Sequence, residues 1–217
     1  MQHMDPSQGE HIVPAAPWGL HGSACISLWR IPHAKLGALM PDATLPLFTL
    51  AGSAFVVTVW ARYTGGTLRY DELAAAVLVR GQGLLAPAAS ITAIWVDDVV
   101  SAEGGRRLWN IPKAIGSFQG IDGDGCNFSG QMTLDLHLAA KLDFKPKTTL
   151  PGGLDLSGFV IQPSQGGPLR TRCTVSGKLS TGQADWTFSA VSPLSVLNGR
   201  RPLVSVCLKE MNAMFGV

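Results

Sequence analysis

A lysine in an apolar setting is the residue of this sequence best suited to covalent chemistry. Lys113 follows Pro112 and stands among Ile111, Ala114 and Ile115. Such a lysine usually lays its stem along the surface and keeps its ammonium group in water, but when buried it can act as a nucleophile. A free amine attacks a carbonyl carbon to form a Schiff base, an electron sink that lets bonds at the adjacent carbon break. The local sequence leaves both alternatives open.

Other side chains were considered for a pocket or a metal site. Trp109 lies close to Lys113 in sequence, and His21 precedes the first strongly β-like segment, where it can line a pocket. The histidines are dispersed, and the four cysteines contain no C-x-x-C pair. We therefore predict reduced thiols, no metal and no cofactor.

Two short motifs resemble ligand-binding loops but lack the context that such loops need. Residues 81–86 (GQGLLA) match the letters of a dinucleotide fingerprint, yet Pro87 follows at once and no βαβ pattern surrounds them. Residues 122–125 (DGDG) resemble the start of a calcium loop, but Thr133 stands where a bidentate glutamate is required. We interpret the first motif as a loop and the second as a tight β-turn. The G-x-S-x-G elbow of many serine hydrolases is absent from the sequence.

Length and composition predict one globular domain, and the strand patterns along the chain place it in the mainly β class. Apolar residues make up 46% of the 217 residues, which is ample for a large core, and the basic residues are too scattered for a nucleic-acid or anionic-lipid surface. The longest uncharged stretch, residues 45–60, is shorter than the ~20 apolar residues of a spanning helix. No signal peptide is recognisable, so we predict a soluble, cytoplasmic protein without a membrane partner.

The proline-containing segment Pro14-Ala15-Ala16-Pro17 ends a predicted N-terminal arm, residues 1–17, and residues 18–217 are predicted to form a single domain. Strands outnumber helices and do not alternate with them, which favours a barrel-like or sandwich β core with a few helices. The predicted strands are residues 24–30, 54–63, 90–100 and 131–138, together with a hairpin that joins 169–179 to 184–190. The predicted helices are residues 33–40 and 204–215.

The segment around Lys113 resembles the signature of the acetoacetate decarboxylase family, Gly-Arg-Glu-Leu-x-x-[aromatic]-Pro-Lys-Lys. In that family the first lysine of the pair forms the Schiff base, and it coincides with Lys113. The similarity reaches from about residue 17 to near the end of the chain, and it implies an antiparallel, cone-shaped β-barrel and a homo-oligomer. The positions that match in register are Gly105, Arg106, Leu108, Pro112 and Lys113.

Two weaker matches add candidate residues. Tyr70-Asp71-Glu72 resembles the family's Tyr-x-Glu, whose glutamate lies in the active site, and Ser192-Pro193-Leu194 resembles its closing segment. Glu72 is therefore the candidate for proton transfer to and from an enamine, or for positioning the substrate, and otherwise an exposed polar residue. Arg106 is the candidate to hold a substrate carboxylate, and otherwise forms an ion pair with Glu103 or Asp71. The predicted substrate-binding residues are His21, Tyr70, Arg106 and Trp109.

The departures from the family pattern concern charged groups. The second lysine is replaced by Ala114, an active-site arginine falls near Gly22, and a second glutamate falls near Val57. Fewer charges imply a more apolar cavity and a larger, less charged substrate. The resemblance thus implies a Schiff-base-forming lyase, either a decarboxylase or an aldolase or dehydratase, that acts on a keto acid or a larger carbonyl compound, as in secondary metabolism. The alternative is a non-covalent cyclase or ligand-binding barrel in which Lys113 only donates hydrogen bonds.

Overall fold

The computed structural model describes residues 12–81, 86–122 and 127–217, most of which lie in β-strands. This confirms the mainly β class. In chain order the strands are β1 (Trp18–Pro32), β2 (Thr49–Leu50), β3 (Ser53–Gly66), β4 (Tyr70–Arg80), β5 (Pro87–Val96), β6 (Lys113–Ile115), β7 (Ser117–Asp122), β8 (Phe128–Leu134), β9 (His137–Thr149), β10 (Leu154–Gln162), β11 (Leu169–Phe188) and β12 (Val204–Phe215). The helices of the described residues are α1 (Val99–Trp109) and three short 3-10 helices, His33–Lys35, Gly37–Leu39 and Pro193–Leu197.

All twelve strands belong to one sheet. Its main order is β10-β5-β4-β3-β1-β12-β11-β9-β8-β7, with β2 beside β3 and β6 beside β5. The neighbours are antiparallel except for β5 with β6 and β5 with β10. Strand β10 also pairs with β11 over its full length, whereas its described pairing with β5 consists of Val160 and Ala89. The cone-shaped barrel therefore stays a prediction.

Strand β4 is buried on both faces, and this separates a large core from a smaller one. Leu73 and Val77 belong to the main core, whereas Ala74 belongs to a second cluster with Trp18 and Trp109. Because successive side chains of a strand point to opposite faces, Glu72 shares a face with Ala74 rather than with Leu73. A buried carboxylate is thus placed on the side of the sheet that α1 covers.

Helix α1 begins where we predicted the end of a strand. The predicted strand 90–100 stops at Val96, because the Asp98 side chain accepts a hydrogen bond from the Ser101 backbone N–H and caps the helix. The left-handed Asn110, with φ 53°, ends it. Gly104 is required inside the helix because a Cβ there would lie 2.4 Å from the ring of Trp18.

Three other sequence-based elements are wrong or incomplete. Residues 204–215, predicted as a helix, form β12, because β1 and β11 pair with this segment on either side. The predicted hairpin near residue 181 is one continuous strand, β11, in which Gly182 allows a close approach to the backbone of β9. The alternating stretch 131–138 is broken by a tight turn at Asp135 and Leu136, which both have positive φ.

The remaining predictions agree with the structure or lie outside it. The strands predicted at residues 24–30 and 54–63 are confirmed within β1 and β3. Residues 33–40, predicted as one short helix, form two 3-10 helices. Outside the described residues lie most of the two rejected motifs, at residues 82–85 and 123–125, and residues 1–11 of the arm. Across the described ranges, no helix is long and apolar enough to cross a bilayer.

Candidate active site

Lys113 is presented by the chain reversal that follows α1. After Asn110, the Ile111 N–H donates back to the carbonyl of Gly105, and β6 then begins at Lys113 opposite Ile94 of β5. The guanidinium group of Arg106 donates a hydrogen bond to the main-chain carbonyl of Lys113. The backbone of the lysine is therefore fixed by both the helix and the sheet.

The stem of Lys113 passes directly beneath Gly105 of α1. A Cβ at residue 105 would lie 2.7 Å from Cδ and 2.9 Å from Cε of the lysine. Only glycine leaves room for the stem at this crossing. As a result Lys113 is 6% exposed, and its amine points into the protein instead of out to water.

The amine of Lys113 is surrounded by three polar groups. Nζ lies 2.9 Å from Oγ of Ser101, 3.0 Å from Oε2 of Glu72 and 3.3 Å from the hydroxyl of Tyr70. It also lies 4.7 Å from the centre of the Tyr70 ring. The three hydrogens of an ammonium group are therefore all used, and Glu72 supplies the opposite charge.

Burial keeps both tyrosines of the site protonated. Burial, and next the charge of Glu72, raise the pKa of the Tyr70 phenol well above its usual value. The same two causes, in the same order, raise the pKa of Tyr63. Tyr70 and Tyr63 are therefore neutral hydrogen-bond donors over the ordinary pH range.

The amine opens into an apolar pocket of about 90 Å³. Trp109 contacts Trp18 and Phe215 edge-on, with ring centres 4.8 and 4.7 Å apart, and the three rings form one wall. Of the described residues that line the pocket, only Lys113 and Glu72 are charged. The lining consists of Trp18, Leu20, Tyr63, Tyr70, Glu72, Ile91, Ile94, Trp109, Ile111, Lys113 and Phe215.

The structure brings together four of the six predicted site residues: Tyr70, Glu72, Trp109 and Lys113. Two others lie elsewhere. His21 is exposed and its Nδ1 lies 2.6 Å from Oδ1 of Asn212, because the alternation of β1 directs Leu20, not His21, into the pocket. Arg106 is exposed on α1, and Asp71, one of the partners considered for it, forms its ion pair with Arg62.

The positions at which the family's charged groups were expected explain the apolar lining. Ala114 is exposed, since it follows Lys113 on β6 and points to the other face of the sheet. Gly22 cannot carry a side chain, because its Cβ would lie 1.9 Å from the carbonyl oxygen of Arg62. Strands β1 and β3 instead contribute Leu20 and Tyr63 to the pocket.

Sequence reasoning missed Ser101, Tyr63, Trp18 and Phe215. Ser101 and Gly105 are four residues apart, so they share the helix face above the lysine, a signal that appears only once 99–109 is recognised as a helix. Trp18 and Phe215 lie near opposite ends of the chain and meet through the pairing of β1 with β12. Within the described part of the chain, no cluster of three or more His, Cys, Asp or Glu side chains could hold a metal ion.

A comparison with protein-family models matches residues 2–209 to the acetoacetate decarboxylase family. The chain belongs to this family. The resemblance inferred from the segment around Lys113 is thereby confirmed. A comparison with curated protein sequences found no match.

Solved structures of the acetoacetate decarboxylase family and of similar enzymes share the fold. The acetoacetate decarboxylase of Legionella pneumophila is 17% identical, with a TM-score of 0.72 over 97% of this chain and 89% of that one. An acetoacetate decarboxylase-like enzyme from Sphingomonas wittichii RW1 is 16% identical, with a TM-score of 0.66 over 100% and 97%. The enduracididine biosynthesis enzyme MppR, complexed with the condensation product of pyruvate and imidazole 4-carboxaldehyde, is 15% identical, with a TM-score of 0.61 over 98% and 90%.

Proposed function

We propose that this protein is a Schiff-base-forming lyase that acts on a small carbonyl compound, with Lys113 as the nucleophile. The observation that carries the proposal is the buried amine of Lys113, 3.0 Å from the carboxylate of Glu72, at an otherwise apolar pocket. Membership of the acetoacetate decarboxylase family supports enzymatic activity of the lyase type. The pair has the two groups that imine chemistry requires, a nucleophile and a proton acceptor.

Glu72 handles the protons of imine formation. Transfer of one proton across the 3.0 Å contact converts the Lys113 ammonium and the Glu72 carboxylate into a free amine and a neutral carboxylic acid. The amine adds to the substrate carbonyl, and the resulting carbinolamine loses water as Glu72 returns the proton. The product is a protonated Schiff base facing a Glu72 carboxylate, so the charges of the pocket are the same as at the start.

Tyr70 and Ser101 orient the reacting groups. The protonated phenol of Tyr70, 3.3 Å from Nζ, donates a hydrogen bond to the oxygen of the carbinolamine. Oγ of Ser101 accepts an N–H of the amine and directs the nitrogen lone pair towards the pocket. Both groups are within hydrogen-bonding reach of the nitrogen at which the bond forms.

The pocket volume favours a small substrate over the larger one expected from the sequence. Pockets for drug-sized ligands measure about 300–1,000 Å³, whereas this pocket measures about 90 Å³. The lost charges make the pocket apolar, but the rings of Trp18, Trp109 and Phe215 fill the space. After imine formation, decarboxylation, aldol chemistry and dehydration share the same enamine intermediate, which Glu72 can reprotonate.

One observation favours the non-covalent alternative, a cyclase or ligand-binding barrel. All three hydrogens of the Lys113 ammonium have acceptors, an arrangement that also suits a fixed hydrogen-bond donor. In that case the amine holds a substrate oxygen without forming a bond. The two alternatives differ in one measurable product, a covalent adduct at Nζ.

Borohydride trapping tests the proposal. The protein is incubated with each of a panel of small ketones, aldehydes and keto acids, reduced with borohydride, and digested for peptide mass spectrometry. We expect a reduced adduct on the Lys113 peptide that disappears in Lys113→Ala, while the control Lys178→Ala, which removes a lysine that is 66% exposed, retains it. If no compound adds mass to Lys113 above the level found on exposed lysines, the covalent proposal is wrong.

We further propose a cytoplasmic homo-oligomer that acts in secondary metabolism. The assembly and the cone-shaped barrel rest on the family resemblance, and pairing of β10 with both β5 and β11 supports closure of the sheet. The metabolic setting rests on the similarity in fold to an enzyme of enduracididine biosynthesis. Sedimentation velocity tests the assembly, since a single species with the mass of one 22.9 kDa chain contradicts it.

A further inference from the structure

The charges of the pocket balance without a substrate. Lys113 contributes one positive and Glu72 one negative charge, and every other side chain that lines the pocket among the described residues is uncharged. The side chains of Lys113 and Glu72 are 5% and 11% exposed, so water screens their charges poorly. An additional charge in this pocket needs a partner of the opposite sign.

Among the described residues, no second lysine or arginine lines the pocket to be that partner. The described residues include every lysine and arginine of the chain, and Lys113 is the one that lines the pocket. Arg106 lies outside the pocket and donates to the carbonyl of Lys113. Arg62 is directed to the other face of β3, where both its Nε and Nη2 bind the carboxylate of Asp71.

From this charge inventory we infer that the substrate is a neutral aldehyde or ketone and carries no carboxylate. The inference rests on the proposed Schiff-base function and specifies its substrate class. An ammonium group and a neutral carbonyl compound give a protonated Schiff base and water, so the single positive charge opposite Glu72 is conserved. A keto acid brings a second negative charge into about 90 Å³ that already holds the Glu72 carboxylate.

A neutral substrate determines which bonds can break after imine formation. Without a carboxylate, no carbon dioxide can leave, and the electron sink acts on a C–H or C–C bond at the adjacent carbon. In an aldol cleavage, Glu72 takes the proton of a β-hydroxyl group, and the C–C bond breaks to release an aldehyde. The bonding electrons form the enamine, which Glu72 reprotonates at carbon before water releases the ketone. The reaction class is therefore aldol chemistry of small uncharged carbonyl compounds.

Matched amide and carboxylate pairs test the substrate class. Acetoacetamide and acetoacetate differ in charge but share size and skeleton, and pyruvamide and pyruvate form a second pair. The rate of borohydride trapping on the Lys113 peptide is measured for each compound at neutral pH. Each rate is divided by the rate with Nα-acetyl-lysine, which removes the difference in intrinsic reactivity.

After this correction, we expect each amide to be trapped at least about tenfold faster than its carboxylate. A tenfold difference corresponds to ~1.4 kcal/mol. Equal or faster trapping of the carboxylates overturns the inference. So does an acetone-derived adduct that forms from acetoacetate faster than the acetone released in the same solution without protein can account for, because it demonstrates decarboxylation at Lys113. Either result leaves the Schiff-base proposal standing. If neither member of either pair labels Lys113 above the level found on exposed lysines such as Lys178, the Schiff-base function itself fails, and the inference with it.

Glu72→Gln provides a second, internal test. The amide keeps the shape of the side chain and removes the negative charge, so a substrate carboxylate can then pair with the imine. We expect the ratio of acetoacetate to acetoacetamide trapping to rise relative to wild type. A ratio that does not change, in a variant that melts cooperatively, contradicts the charge argument.

Discussion

Replacing Gly105 by alanine tests whether the packing of α1 on the lysine stem controls the position of the Lys113 amine and its proposed reactivity. The new Cβ would lie 2.7 Å from Cδ of Lys113, whereas ordinary contacts begin at 3.4 Å, so the stem must move by roughly 0.7 Å, the difference between the two. Nζ is held within 3.0 Å of Ser101 and Glu72. A shift of this size moves the amine away from both partners.

The effects of Gly105→Ala on stability and on chemistry differ in size. Alanine stabilises a helix interior by about 1 kcal/mol relative to glycine, and overpacking costs about 1–3 kcal/mol. The free energy of unfolding therefore falls by about 2 kcal/mol at most, which a domain of this size tolerates. Misplacement of a reacting group by ~1 Å can lower a rate about 100-fold. We expect trapping at Lys113 to slow by about 10- to 100-fold in a folded protein.

The assay compares Gly105→Ala with Arg107→Ala, which changes an exposed residue of the same helix. Borohydride trapping at Lys113 gives the rate, and chemical denaturation gives the free energy of unfolding. Arg107→Ala should leave both close to wild type. A Gly105→Ala variant that is folded and traps substrate at the wild-type rate would refute the reasoning. Such a result would show that the Lys113 stem accommodates a Cβ at residue 105 without displacing the amine.

Three further predictions concern the surroundings of the amine. Ser101→Ala removes the hydroxyl that lies 2.9 Å from Nζ but keeps the backbone N–H that donates to the capping side chain of Asp98. Trapping at Lys113 should slow about tenfold, and the free energy of unfolding should fall by ~1–3 kcal/mol. An unchanged trapping rate contradicts the orienting role of Ser101. The two tyrosines of the chain, Tyr63 and Tyr70, both have a raised pKa. The unfolded chain ionises them near pH ~10, so their contribution to stability is intact below that pH and is lost as the pH rises above it. Tyrosinate absorbance should therefore appear together with unfolding, and its appearance near pH ~10 in folded protein counts against burial of the phenols. His21→Ala should leave trapping unchanged, since His21 is exposed and paired with a residue of β12; a large loss would show that it reaches the substrate.

Local sequence predicted parts of β1, β3, β5 and β11 but not α1 or β12. Residues 90–100 are rich in β-branched residues, and Gly104 and Gly105 are poor helix formers, so propensity favoured a strand where a helix begins. Asp98 and Asn110, the residues that cap the helix, were the available signals. Strand β12 reads as an amphipathic helix in isolation, and its pairing with both β1 and β11 decides otherwise.

The sequence alone identified the family and the candidate nucleophile, Lys113. Lys113 and Glu72 were chosen because the segments around them resemble short motifs of the acetoacetate decarboxylase family, and such motifs are visible in a linear chain. Only the tertiary structure decided which groups surround these two side chains. Gly105 clears a path for the lysine stem, Ser101 and Tyr70 surround the amine, and aromatic rings from both ends of the chain limit the pocket to about 90 Å³. These contacts join residues far apart in sequence, so they follow from strand order and side-chain direction, which no local pattern encodes.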